Sequence, residues 1–237
     1  MELYNGIIKY TEELLCGSSG TAWAFEEGKT WPDSGKNELV MQREAAFELG
    51  GSGLPAVTYS CITTDTSLLG KDEVVLCGPD MGKLKADSPY ARIVVITAGD
   101  IGEADEAFNA IRDLEFVRYH VFPQGFMMRA LPEDNREQVR VSRDAVKRGI
   151  SFRTVGFDFI RKFRENPVVK NVRVIFVTDP KAPFRELGNN ARKVSDITKS
   201  LSTILEGLPT DCASCNLKEI CSEVEGMREL HFSQLNK

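Results

Sequence analysis

Three cysteines lie close together near the C-terminus of the chain, at Cys212, Cys215 and Cys221. Their spacing is C-x2-C-x5-C, so the first two thiolates can turn onto one metal centre and the third can return to it. A disulfide framework would instead spread its cysteines along the chain. The spacing therefore predicts a metal site, with a [4Fe–4S] iron–sulfur cluster as first choice and zinc as second. The alternative without metal is three free thiols.

A centre with four ligands needs one more residue, and the sequence offers Cys16, Cys61, Cys77 and His231. Cys61 and Cys77 fall in apolar β-type runs, where cysteine most often behaves as a small buried hydrophobe. Cys16 follows the first predicted helix and precedes a glycine–serine stretch that allows its side chain to turn inward. The predicted ligand set is therefore Cys16 together with the three cysteines of the tail.

Basic residues concentrate in the middle of an acidic chain. The formal net charge is −5, yet residues 118–173 contain 13 Lys and Arg against 6 Asp and Glu. Most of these cations are arginines, whose guanidinium forks suit phosphates, nucleotides and carboxylate-rich partners. Solvated helix faces are the alternative explanation. Nucleic acid is disfavoured as a partner, because the whole chain is acidic, the basic segment has few aromatic residues and no nucleic-acid-binding motif is present.

The sequence contains only two histidines, His120 and His231, which removes most Ser–His and Cys–His schemes of nucleophilic catalysis. The glycines at 50–53 lack the lysine and the spacing of a phosphate-binding loop. No catalytic residue is predicted from motifs.

The elements that must position these residues follow from hydrophobic periodicity and turn signals. Helical spacing predicts helices at 4–15, 103–114, 136–148, 157–163 and 184–205. Short apolar runs predict strands at 38–49, 56–62, 73–77, 92–97, 116–122 and 172–177. Runs of strands in the first half and alternation in the second predict an α+β fold. We expect a single compact domain, residues 1–208, in which the strands of the first half and strand 172–177 share one mixed β-sheet covered by helices. A C-terminal cysteine-rich, metal-binding segment, residues 209–237, follows it.

With 237 residues, 42% of them hydrophobic, the chain can bury a sizeable core. No apolar run approaches the length needed to span a membrane, and the first residues lack the pattern of a signal peptide. Six cysteines in such a chain suggest metal or redox chemistry in a reducing compartment. We therefore expect a cytoplasmic protein with no membrane partner.

Several short blocks resemble one family in matching order. Residues 140–149 with Phe152, and then residues 172–179, resemble the middle part of acetyl-CoA synthase, the β subunit of the carbon monoxide dehydrogenase/acetyl-CoA synthase complex. Upstream, residues 46–49 and 77–80 occur in the same order. The resemblance extends from Tyr4 to about Leu205.

The resemblance implies an α+β middle domain with an arginine-rich face associated with coenzyme A. Arg129, Arg136, Arg140 and Arg143 occupy the comparable stretch and are the predicted anion- or coenzyme A-binding residues, although the family's tryptophans are absent from it. The family's full-length bacterial enzyme also has a domain that docks on the dehydrogenase and a domain that carries a nickel–iron–sulfur cluster. That cluster uses a Cys-Gly-Cys pair, which this sequence lacks.

Assembly of acetyl-CoA by this chain alone is therefore not expected. The first hypothesis is a stand-alone, middle-domain-like iron–sulfur accessory protein of one-carbon and corrinoid metabolism in an anaerobe. It would dock on, or pass electrons to, other proteins of a carbon monoxide dehydrogenase or corrinoid system. The second is a coenzyme A- or nucleotide-binding module whose cysteines bind zinc or remain free. Whether the chain catalyses a reaction stays open.

Overall fold

The structure is a computed structural model, which describes residues 2–15, 20–51, 53–101, 104–131, 135–205 and 220. Its helices are α1 (Asn5–Leu15), α2 (Ala104–Phe116), α3 (Arg143–Arg148), α4 (Phe152–Arg164) and α5 (Phe184–Leu205). Its strands are β1 (Gly20–Ala24), β2 (Ala45–Leu49), β3 (Ala56–Thr63), β4 (Glu73–Cys77), β5 (Tyr90–Ala98), β6 (Phe126–Leu131), β7 (Arg136–Ser142) and β8 (Val169–Val177).

The larger sheet has five strands in the order β1-β4-β8-β5-β3. The pairs β3/β5 and β4/β8 are parallel, whereas β1/β4 and β5/β8 are antiparallel. Every residue of β3 and β5 is buried, as expected for strands covered on both faces. The α+β fold with a mixed sheet is therefore confirmed.

The smaller sheet is antiparallel, with the order β2-β7-β6. The expectation that all strands of the first half share one sheet is wrong for β2, which pairs with β7 instead. The helix predicted at 136–148 is wrong in its first half: residues 136–142 form β7, and only Arg143–Arg148 is helical. The reason is the alternation of buried Glu137, Val139 and Val141 with half-exposed neighbours, which has the period of a strand.

The strand predicted at 116–122 is also absent from the described residues. Phe116 ends α2, and Val117–His120 forms a 3-10 turn. The predicted helices at 4–15, 157–163 and 184–205 are present as α1, α4 and α5. Apolar residues alone did not distinguish a strand from a helix end in the short run after α2.

Helices cover both faces of the larger sheet, with α1 and α5 against β3 and α4 against β4 and β8. One hydrophobic core includes Val94 and Phe176 of the larger sheet together with Phe47 and Val139 of the smaller one. The two sheets are therefore parts of one domain. Among the described residues, no helix combines the length and apolar character needed to cross a membrane.

Candidate functional site

The hairpin of β6 and β7 positions the predicted arginines. In its register Arg129 lies opposite Gln138, Met127 lies opposite Arg140, and Leu131 lies opposite Arg136. Side chains two residues apart on a strand share a face. Arg136, Gln138 and Arg140 therefore lie on the outward face of β7, with Arg129 diagonally next to both arginines. We call this surface, formed by Arg129, Arg136 and Arg140, the arginine face.

An ion pair holds one member of the arginine face in place. Arg140 donates from Nε to Oε1 of Glu48 at 2.7 Å, and from Nη1 to the carbonyl of Val40 at 3.4 Å. Glu48 lies on β2, opposite Arg140 in the register of the smaller sheet. Neither Arg129 nor Arg136 forms an ion pair with a described residue. Two guanidinium groups of the arginine face are thus available to an anion, while the third is partly neutralised.

Arg143 lies at the end of the arginine face and is not one of the three arginines that share the face of the sheet. It is the first residue of α3, and the side chain of Ser142 caps that helix by accepting from the amide of Ala145. Arg143 Nη1 donates to the backbone carbonyl of Arg43 at 2.5 Å. The structure therefore brings Arg129, Arg136 and Arg140 together on one sheet face and places Arg143 where that sheet meets α3.

The predicted metal ligands Cys16, Cys212, Cys215 and Cys221 lie outside the described residues, as does His231. Within the part of the chain that the structure describes, no group of three His, Cys, Asp or Glu side chains could hold a metal ion. The four-cysteine site therefore stays a prediction.

The other two cysteines are buried in strands, as expected. Cys61 lies in β3 and Cys77 at the end of β4. Burial raises the pKa of both thiols, and the charge of Asp179 adds to the effect at Cys77. A thiol held protonated is a poor metal ligand and a poor nucleophile.

A buried ion pair beneath the arginine face escaped sequence analysis. Arg92 of β5 donates from Nε to Oε1 of Glu137 at 2.8 Å and from Nη2 to the other carboxylate oxygen. Both side chains are almost fully buried, at 0% and 2% exposure. The Arg92 guanidinium also lies 4.5 Å from the ring centre of Phe159. The signal in the sequence was Glu137 at an inward position of the alternating run that forms β7.

A second buried charge lies on α4. Asp158 is 2% exposed, and its Oδ1 accepts from Arg161 Nη2 at 3.3 Å. Its Oδ2 has no hydrogen-bond partner among the described residues. Burial raises the pKa of Asp158 to about 7; Arg161 opposes that shift and Asp33 adds to it. The Asp158 carboxyl lies where α4 meets the loop containing Asp33. It therefore titrates near neutral pH.

Comparison with known families identifies the chain's relatives. The profile of the CO dehydrogenase/acetyl-CoA synthase complex beta subunit matches residues 35–182. Because this match covers more than half of the chain, the chain belongs to that family, and the resemblance seen in the sequence is confirmed at that level. The matched part includes β2 to β8 and the whole arginine face. Among curated proteins, none matches the chain.

Proposed function

We propose that the chain is an accessory protein of a carbon monoxide dehydrogenase/acetyl-CoA synthase system that docks on an acidic partner through its arginine face. The observation that carries this proposal is the placement of three arginines at neighbouring register positions of β6 and β7. All three lie within the part of the chain that matches the family.

The chemistry of the arginine face supports docking. Arg129 is exposed and Arg136 half-exposed, so both guanidinium groups can reach a partner's carboxylates. Arginine binds a carboxylate through two parallel N–H···O bonds, which gives both orientation and affinity. The Glu48–Arg140 pair fixes the third guanidinium, so less freedom is lost on binding.

Electron transfer is the second half of the proposal. Cys212, Cys215 and Cys221 with Cys16 are the proposed ligands of a [4Fe–4S] cluster, and zinc is the alternative metal. The support is the C-x2-C-x5-C spacing in the sequence. A docked chain with such a cluster can exchange single electrons with its partner and needs no catalytic residue of its own.

Docking is tested by calorimetry with the carbon monoxide dehydrogenase/acetyl-CoA synthase complex of the same organism. We expect the double variant Arg129→Gln/Arg136→Gln to weaken binding by at least about tenfold, since each lost charge-assisted hydrogen bond costs roughly 1.5–3 kcal/mol. Affinity should also fall as salt is raised. Arg185→Gln is the matched control, because Arg185 is an exposed arginine on α5. Equal affinities for the two variants would contradict docking through the arginine face.

Coenzyme A binding is the second candidate function, and the same arginines favour it. Guanidinium groups at neighbouring register positions can hold a phosphorylated ligand as well as carboxylates. Titration with coenzyme A at low ionic strength distinguishes the two. Binding of coenzyme A that is lost in the double variant, without binding of the protein complex, supports this candidate over docking.

The cluster is tested by anaerobic purification followed by iron, sulfide and zinc analysis and by visible absorption. We expect about four irons for each chain, and their loss in Cys212→Ser and Cys16→Ser. Cys77→Ala is the control, because Cys77 is a buried strand residue and should leave the iron content unchanged. Zinc without iron would support the alternative metal. The absence of both iron and zinc would contradict the predicted metal site.

A further inference from the structure

A cleft of about 360 Å³ lies between α2, α5 and β3. β3 is an edge strand of the larger sheet, and its residues Thr58, Tyr59 and Ser60 line the cleft. The volume falls within the range of small-molecule sites, roughly 300–1,000 Å³. Nothing in the docking proposal uses this cleft.

Three cations line the cleft: Arg112, Arg118 and Lys199. None of them forms an ion pair with a described residue. Arg118 donates from Nη2 to the hydroxyl of Tyr119 at 2.8 Å, while its Nε is buried without a hydrogen-bond partner in the described part of the chain. A buried donor without a partner is costly, and guanidinium groups such as that of Arg118 bind anions strongly.

The cleft also contains one carboxyl group, Glu115. The hydroxyl of Thr198 donates to Oε1 of Glu115 at 3.2 Å. Burial raises the pKa of this carboxyl, and the nearby charge of Arg118 acts in the opposite direction. With three cations against one carboxyl, the cleft favours a ligand with negative charge.

Aromatic rings complete the wall formed by α2. Phe108 is half-buried, and Phe116 is 52% exposed, which is unusual for so large an apolar side chain. The rings of Phe116 and Tyr119 lie 5.8 Å apart between centres. Aromatic faces of this kind stack on planar ligands.

The edge of the cleft is held by backbone structure. Asn135 adopts the left-handed conformation, with φ of 51°, and its carbonyl accepts from the amide of Thr58 at 2.9 Å. This bond ties the turn before β7 to the edge of β3. The side of the cleft near Asn135 is thus formed before any ligand binds.

We propose that this cleft binds a small phosphorylated ligand with a planar ring, of the nucleoside monophosphate class. Arg112, Arg118 and Lys199 hold the phosphate, the hydroxyl-bearing side chains of Ser60 and Ser195 contact the sugar, and Phe108 and Phe116 contact the base. The site combines charge, hydroxyl groups and aromatic surface, whereas the arginine face offers mainly charge.

The test is calorimetry of the full-length protein with adenosine 5′-monophosphate as probe, beside adenosine and inorganic phosphate. We expect saturable binding of the monophosphate, and binding at least about tenfold weaker for adenosine and for phosphate alone, since each lacks one half of the contacts. The double variant Arg112→Gln/Lys199→Gln should weaken binding of the monophosphate by at least about tenfold. Phe116→Ser, which replaces an exposed ring, should weaken adenosine and the monophosphate alike.

Arg185→Gln is the matched control and should leave monophosphate binding unchanged, because Arg185 is an exposed arginine of α5 that does not line the cleft. Circular dichroism verifies that each variant is folded. No saturable binding of the monophosphate, or binding that is lost in Arg129→Gln/Arg136→Gln but kept in Arg112→Gln/Lys199→Gln, would overturn the proposal. Phosphate that binds as tightly as the monophosphate would overturn the assignment of a planar ligand. The docking proposal is unaffected by any of these results, because it rests on arginines that do not line the cleft.

Discussion

Arg92 and Glu137 form an ion pair that water does not reach, and it joins β5 of the larger sheet to β7 of the smaller one. Tyr90 donates to the same carboxylate at 3.4 Å, and burial raises the pKa of its hydroxyl well above the ordinary value. A buried pair adds little net stability compared with apolar residues, but removal of one partner leaves an unpaired charge in the core. The pair therefore joins the two sheets through a contact that is costly to break.

Glu137→Gln should lower the free energy of unfolding by about 3–5 kcal/mol, because Arg92 would stay charged and buried without its carboxylate. Glu48→Gln is the control, since it breaks the partly exposed pair with Arg140 and should cost at most about 1 kcal/mol. Urea denaturation of both variants measures the difference. Equal decreases in the free energy of unfolding would show that the buried ion pair contributes no more to stability than the partly exposed one.

Asp158 should make stability depend on pH near neutrality. Its pKa is about 7 in the folded protein and 3.8 as a free side chain, so the folded state binds the proton more tightly. The stability from that proton is complete below the unfolded pKa and is lost as the pH rises through 7. The free energy of unfolding of Asp158→Asn, compared with that of the wild type, should therefore increase by roughly 2–4 kcal/mol as the pH is raised from 5 to 8. Denaturation curves at both pH values measure it, and a constant difference between the two proteins would contradict the shifted pKa.

At the scale of elements, α4 approaches the larger sheet closely at one residue. A Cβ added at Gly156 would lie 2.5 Å from Cγ2 of Val74 and 3.2 Å from the ring of Phe176. Glycine is here required by the packing of helix on sheet, although it lowers the intrinsic stability of the helix.

Gly156→Ala should destabilise the protein by about 1–3 kcal/mol, because the added methyl group overpacks the contact with Val74. Gly188→Ala in α5 is the matched control: nothing lies within 4 Å of the position that its methyl group would take, so helix propensity alone should act. That control should be neutral or more stable by up to about 1 kcal/mol. Thermal melts of both variants give the comparison, and a stabilised Gly156→Ala variant would refute the close approach.

At the scale of the whole molecule, the two sheets share one core and should unfold together. Trp23 lies in β1 at one edge of the larger sheet, while Trp31 donates from its indole to the carbonyl of Gln124 at 2.8 Å, next to the smaller sheet. Fluorescence therefore reports on both parts of the domain. We expect fluorescence and circular dichroism to give coincident urea transitions. Two separate transitions would mean that the sheets are independent units.

The arginine face shows how far local pattern carries. The family resemblance singled out Arg129, Arg136, Arg140 and Arg143 as anion-binding candidates, and the register of β6 and β7 places the first three on one face. The sequence pattern assigned residues 136–142 to a helix, however, because arginines and valines at short spacing fit both periods. Pairing with β2, which lies far away in the sequence, stabilises the strand, and a local window does not contain that contact.

In the larger sheet, too, some features follow from the local sequence and others from contacts between distant segments. Apolar runs sufficed to predict β3, β4, β5 and β8 and their mixed α+β arrangement, since strands covered by helices are rich in apolar residues. The family resemblance was likewise readable from short blocks in order and is confirmed over residues 35–182. Only the tertiary structure decided that β2 leaves the larger sheet, that Glu137 meets Arg92, and that α2 and α5 leave a cleft beside β3. Each of these depends on the distance between segments far apart in the chain, which composition and periodicity do not encode.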